Sequence, residues 1–279
     1  MPKVIHVAHS PDSDDAFMFY ALATGKIETG DLEFVHELRD IETLNRRALN
    51  AELEVTAASI HAYAFLSDRY ALLPHGASMG EGYGPRLVSR EPMTDQQVRM
   101  RTVAVPGLLT SAYLALKLYA PGVQTVVVPF DEILERVAAG EFDVGLLIHE
   151  GQLTFQDAGL QLVRDLGEWW GEQNHGLPLP LGGNLIRKDL GEELIRRVSR
   201  ILRASIAYGL DHRAPAIAHA EAYGRGLDTQ RTDEFVGMYV NQRTLDYGWE
   251  GRQAVQLFLD QGYEAGIIPL RVAVEFVAD

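Results

Sequence analysis

The sequence predicts an α/β protein of two lobes, each a mainly parallel sheet flanked by helices. Three observations carry that expectation. At 279 residues the chain is long enough for two domains of ordinary size. Its first two thirds alternate short apolar segments with helical ones, the βαβα order of parallel sheets. After about residue 185 long helical segments dominate, as when a chain returns to a lobe begun at its N-terminus.

Residues 4–8 form a short apolar run, followed by a helical stretch at 14–24. Residues 32–38 alternate apolar and polar side chains as a half-buried strand does, and Ile41, Leu44, Ala48 and Leu49 then recur at helical spacing. A strand at 55–60, a short helix at 61–66 and strands near 70–73 and 86–89 complete this series. Residues 91–100 are polar, contain Pro92 and lack periodicity, which reads as a crossover. A second series follows: strand 102–105, helix from Thr110, strand 123–128, helix from Asp131 and strand 144–148. These strands are apolar throughout, as covering helices on both faces require. Pro178, Pro180, Gly182 and Gly183 mark an extended return, and helices are expected at 192–210, 215–223, 232–240 and 251–261. The lobes then comprise 1–91 with 184–279, and an inserted 92–183, joined by crossovers near 91–99 and 176–184 with the ligand cleft between them.

Hydrophobic residues make up 47% and charged residues 23%, the balance of a globular protein. A net charge of −14 repels phosphate backbones, so nucleic acid is not an expected partner. The absence of cysteine excludes disulfides, thiolate catalysis and thiolate metal sites. No segment approaches the ~18 apolar residues of a membrane span. The N-terminal segment turns acidic at Asp12, Asp14 and Asp15 and lacks the apolar core of a secretory signal, so a cytoplasmic protein is expected. The sequence assigns no oligomeric state.

Candidate chemistry is sparse. Gly76-Ala77-Ser78-Met79-Gly80 matches the G-x-S-x-G pattern, but Gly82, Gly84 and Pro85 oppose the helix that a nucleophile elbow needs, so Ser78 reads as part of a glycine-rich loop. Asp12, Asp14 and Asp15 surround the start of the first helix, where they either cap it or face a ligand. Ser10 ends the first strand, where α/β folds bind ligands. No histidine pair has metal-binding spacing, and His212 and His219 are expected at the surface. His149 directly follows the apolar run 144–148, so it is placed at the C-terminal end of a strand, facing the crevice, with a near-neutral pKa suited to proton transfer; a structural role is the alternative. Thr110 and Ser111 stand at a helix start, where hydroxyls and free amides either grip a carboxylate or cap the helix. Trp169 and Trp170 either stack on a ligand or pack in the core.

In order along the chain, Ser10-Pro11, the stretch Phe17 to Leu22, Glu42-Thr43-Leu44-Asn45-Arg46, Ser59 to Ala64, the Gly80 to Pro85 loop, Val105-Pro106-Gly107 with Thr110 to Tyr113, Ile148-His149-Glu150 and Gly176 to Gly182 form a specific set. With this set the sequence resembles the 1,4-dihydroxy-6-naphthoate synthase family of the futalosine route to menaquinone. The resemblance implies a periplasmic-binding-protein-like fold of type II. It also implies a carbon–carbon lyase that cleaves cyclic dehypoxanthine futalosine to 1,4-dihydroxy-6-naphthoate and a three-carbon dihydroxyacetone fragment. It assigns His149 as proton acceptor and Ala57, Ala58, Ser59, Thr110 and Ser111 as contacts of a small carboxylate substrate; Ser10 and Asn45 are expected to bind it as well. No metal or organic cofactor is implied. The chain departs from the family pattern at Ala57, where a lysine is expected, and at Asp12-Ser13-Asp14, where cysteine-proline-asparagine is expected. Both changes make the site more acidic. A non-catalytic solute receptor of the same fold and the chorismate dehydratase of the same pathway are the alternatives.

Overall fold

The computed structural model describes residues 2–278. The chain begins with β1 (Lys3–His9), α1 (Ser13–Ala23), β2 (Leu32–Leu38), α2 (Ile41–Ala48), β3 (Val55–Ser59), α3 (Ile60–Tyr63), β4 (Tyr70–Leu72) and β5 (Ser78–Gly80). It continues with β6 (Arg86–Ser89), α4 (Asp95–Arg99), β7 (Thr102–Val105), α5 (Ser111–Tyr119), β8 (Gln124–Val127), α6 (Ile133–Ala138), β9 (Val144–Leu147), α7 (Gly151–Thr154), β10 (Gln161–Asp165) and α8 (Leu166–Gln173). The return strand β11 (Leu179–Arg187) leads to α9 (Glu192–Asp211), α10 (Arg213–Ala220), α11 (Thr229–Tyr239), α12 (Gln242–Leu245) and α13 (Gly248–Glu264).

Two sheets result. One runs β2-β1-β3-β11-β4, with β5 also paired to β11; the other runs β10-β6-β9-β7-β8. Both are mixed rather than mainly parallel. Parallel pairing is confined to β2-β1-β3 and β8-β7-β9, whereas β11 runs against its three neighbours and β6 against its two. The antiparallel strands are the ones that carry the chain into or out of a lobe. Strand 86–89 lies in the second sheet, so the first crossover is 81–85 and not 91–99. Residues 91–100 instead hold α4, started by a capping box between Thr94 and Gln97. The second crossover is 174–178, because 179–187 is strand despite its Pro180, which sits beside a register shift where a missing N–H is tolerated.

The first lobe is sealed by apolar packing of α1 on α9 and α10. Phe17, Val198, Leu202 and Ile206 are buried there with Ile5 and Val7 of β1, each side chain worth roughly 1.5–3 kcal/mol of burial. A Cβ on Gly209 of α9 would lie 3.2 Å from the Phe17 ring, so glycine allows the helices their close approach. A second apolar cluster joins Val103, Leu114 and Leu146 to Trp170 and Phe258, whose rings meet edge to face at 5.2 Å. Trp170 also donates to the Pro178 carbonyl, and Trp169 packs on Tyr119, so the tandem tryptophans belong to packing.

At the first crossover two backbones nearly touch. A Cβ on Gly167 would overlap the Tyr83 carbonyl and lie 2.6 Å from Gly84 N. Gly167→Ala is therefore expected to lower stability by about 1–3 kcal/mol through forced backbone displacement. Gly171→Ala, on the same helix but facing open space, should be neutral or stabilising. Chemical denaturation of both variants checks this, and equal midpoints would show that the close approach does not limit stability.

Candidate functional site

The C-terminal ends of β1, β3 and β9 and the start of α5 converge on a cavity of about 110 Å³. Its lining includes Ser10, Ala57, Ala58, Ser59, Thr110, Ser111 and His149, so all but one of the residues expected at the site are gathered there. Asn45 lies behind the lining. Its side chain donates to Ser59 Oγ at 3.0 Å and accepts from Ser59 N at 2.9 Å, which fixes the end of β3 and the turn into α3. Ser78 also lines the cavity, but within strand β5 and not on an elbow. His212 is exposed, whereas His219 is half-buried against Tyr20.

His149 is the first residue but one after β9 and adopts φ +60°, a left-handed conformation uncommon outside glycine. The turn directs its Nδ1 to Asp12 Oδ2 at 2.8 Å. Asp12 occupies the N-cap position of α1 yet makes no capping bond. The capping reading is therefore overturned for Asp12: its carboxylate accepts from Ser10 Oγ at 2.7 Å and lies 2.6 Å from Arg225 Nη2. Asp15 turns to Ser10, accepting from its N–H at 2.7 Å and its hydroxyl at 2.8 Å. Asp14 faces the cavity.

The electrostatics follow from burial and pairing. Burial alone would lower the His149 pKa, but the charge and hydrogen bond of Asp12, with Glu150 and Asp14, override it and raise the value to about 9. The near-neutral value expected from the sequence is thus displaced upward. Burial alone would raise Asp12, but His149, Arg225 and Ser10 bring it down to about 2. Burial pushes Asp15 up to about 6, and burial with the neighbouring Asp15 and Asp12 charges pushes Asp14 well above the carboxylate range. The acidic turn is consequently not a cluster of three free charges.

The hydroxyls of Thr110 and Ser111 are already engaged. Thr110 caps α5, accepting from Tyr113 N at 3.1 Å and donating to the Gly107 carbonyl at 2.9 Å. Ser111 Oγ donates to the Leu181 carbonyl and accepts from His61 N at 3.2 Å. What remains for an anion at this corner is the set of first-turn amides, which lack intrahelical acceptors.

Neighbours of the cavity that the sequence reading did not single out as site residues include Arg225, Phe130, Glu150 and the hydrogen-bonded pair Gln152 and Tyr239, at 2.8 Å. Glu150 and Gln152 follow His149 closely, whereas Phe130, Arg225 and Tyr239 come from segments far from it in sequence. Among the described residues no group of three or more His, Cys, Asp or Glu side chains is arranged to hold a metal ion, and no helix is long and apolar enough to cross a membrane.

Fold and cleft together define a two-lobed α/β protein of the periplasmic-binding-protein-like class. An alkanesulfonate-binding protein from Xanthomonas axonopodis pv. citri superposes with a TM-score of 0.69 over 98% of this chain and 96% of its own, at 12% identity. A family model described as menaquinone biosynthesis matches residues 5–264, and the chain belongs to that family. It is 43% identical over 266 residues to a 1,4-dihydroxy-6-naphthoate synthase of Thermus thermophilus, covering 95% of this chain and 96% of the relative. A synthase of the same name from Streptomyces coelicolor is 36% identical, with 95% of each chain covered. A solved structure from Archaeoglobus fulgidus is 47% identical, with a TM-score of 0.90 over 95% of this chain and 98% of that one. Neither the solute receptor nor the chorismate dehydratase is favoured by these relatives.

Asn45→Ala is expected to leave the Ser59 N–H buried without an acceptor, at a cost of about 1–3 kcal/mol. Asn50→Ala, at an exposed position, should stay within about 0.5 kcal/mol. Thermal melts of the two variants check the difference; equal melting temperatures would deny Asn45 its supporting role.

Proposed function

We propose that the protein is a carbon–carbon lyase that cleaves cyclic dehypoxanthine futalosine to 1,4-dihydroxy-6-naphthoate and dihydroxyacetone, with His149 as proton acceptor. The observation that carries the chemical assignment is the His149 turn: a left-handed residue at a strand end, one ring nitrogen held by a buried carboxylate and the side chain lining the cleft. The names of the two curated relatives support the naphthoate product, and the substrate follows from the resemblance.

In this reading the substrate carboxylate sits at the start of α5, against the amides of Ser111 and Ala112, with Ala57, Ala58 and Ser59 forming the opposite wall. Ser10 and Asn45 act through their neighbours, Ser10 on Asp12 and Asp15 and Asn45 on Ser59. His149 Nε2 removes a proton from the substrate. The electron pair left behind enters the aromatic ring, the carbon–carbon bond breaks with its pair leaving on the three-carbon fragment as an enolate, and the enolate takes back the proton from His149 to become dihydroxyacetone. A positioned base contributes about 10²–10⁴-fold, and the closed cleft adds orientation and exclusion of water.

Replacing His149 with asparagine keeps a polar side chain of similar reach but removes the basic nitrogen. Affinity for the naphthoate product should change little, while the single-turnover rate should fall by about 10²–10⁴-fold. The pH dependence follows from the paired state. Only the neutral imidazole accepts a proton, and Asp12 holds the cation up to about pH 9. The wild-type kcat/KM should therefore climb through pH 7 and 8 toward a midpoint near 9. Normal turnover by His149→Asn would remove the base assignment, and weakened binding without product from either protein would indicate a receptor.

A further inference from the structure

Asp12 is the point where the two lobes meet electrostatically. It is 1% exposed, on the turn after β1, and its two oxygens are divided between partners: Oδ2 on His149 and Ser10, Oδ1 beside Arg225. Arg225 comes from the turn between α10 and α11, where it adopts φ +47° next to Gly226 at φ +87°. Its guanidinium lies over the Phe130 ring, 4.4 Å from the centroid, and Phe130 in turn meets the His149 ring edge-on at 4.7 Å. Nη1 of the same arginine is 3.4 Å from Glu150, the residue after His149. Asp12 and Arg225 belong to the first lobe, whereas His149, Glu150 and Phe130 belong to the second. With Nδ1 committed to Asp12, Nε2 is the ring nitrogen left for a ligand.

We propose that Asp12 is the positioning residue of His149 and that Arg225 is its counterweight, the two together fixing the imidazole tautomer and governing when Nε2 is free to take a proton. The proposal rests on the reading of His149 as the base. Asp12, Asp14, Asp15 and Glu150 face the imidazole, and Arg225 reaches it through Asp12. Asp12, Glu150 and Asp14 favour its cation, and Arg225 opposes it by sharing the Asp12 carboxylate. Removing one carboxylate partner and removing the arginine must then act in opposite directions. A side chain that merely supports the fold would produce no such opposition. Because the Asp12–His149 pair spans the cleft, it exists only while the lobes are closed, so opening the lobes would also release the imidazole.

The test is the imidazole titration of His149, followed by nuclear magnetic resonance on full-length protein with labelled histidine and assigned by comparison with His149→Asn. Asp12→Asn should move the midpoint down by about 1–3 pH units, the range for losing an adjacent opposite charge. Arg225→Gln should move it up. In turnover, Asp12→Asn should shift the pH limb of kcat/KM downward in parallel, with little change in KM. An unmoved midpoint in both variants, or shifts of the same sign, would overturn the proposal. Should Asp12→Asn fail to fold, the upward shift in Arg225→Gln still decides the matter, since a downward or absent shift there contradicts the counterweight. The titration needs no substrate, so it stands apart from the lyase reading, which fails instead if His149→Asn turns over normally.

Discussion

A single buried ion pair, Asp12 with His149 at 2.8 Å, links the first lobe to the second at the mouth of the cleft. Unpaired charges at this depth would cost several kcal/mol each, so each ion is stable here only with a partner of opposite charge. The fold supplies what makes the pair tenable. β1 ends one turn before Asp12, β9 ends just before His149, and the left-handed backbone at His149 turns the ring across the gap. Ser10 and Arg225 occupy the remaining lone pairs of the carboxylate. Around this pair the lobes make further contacts, including Glu42 accepting from Leu109 N at 3.2 Å and Arg231 pairing with Asp157 at 2.7 Å.

The same pair resolves the charge problem posed by the sequence. Three aspartates within four positions look hostile to an anionic ligand, the more so with alanine at position 57. In the structure Asp12 is matched by two cations, and Asp14 and Asp15 are pushed toward their neutral forms by burial and by neighbouring carboxylates. A cleft rich in carboxyl groups is thus compatible with a carboxylate at its far side, where the α5 amides stand. Dipolar stabilisation at a helix start is modest, about 0.3–1 kcal/mol for exposed anions and up to ~2 when partly buried. Ligand affinity must therefore rest largely on enclosure and shape.

Much of the architecture was legible because its strands are short, patterned and punctuated: 32–38, 86–89 and 102–105 occur where expected. The lobe boundaries were less so. Strand β11 carries Pro180 and paired glycines, a composition that mimics a connector, and β10 is a largely exposed edge whose alternation is weak. The capping box at Thr94 and Gln97 was a readable signal for α4 that the lack of periodicity obscured. At the site, strand ends and helix starts could be ranked from sequence, and the Ser10, Thr110 and His149 singled out in this way line one cavity. Arg225 could not be found this way. It sits on an irregular turn 76 residues beyond His149, and only the packing of α10 and α11 on α1 brings it to Asp12.

The central claim is that this cleft performs chemistry rather than holding a solute. Incubation of the purified protein with cyclic dehypoxanthine futalosine, followed by chromatography and mass analysis, tests it most directly. The account predicts stoichiometric appearance of 1,4-dihydroxy-6-naphthoate and the three-carbon fragment over many turnovers per protein. Recovery of the futalosine unchanged after it has demonstrably bound would contradict it.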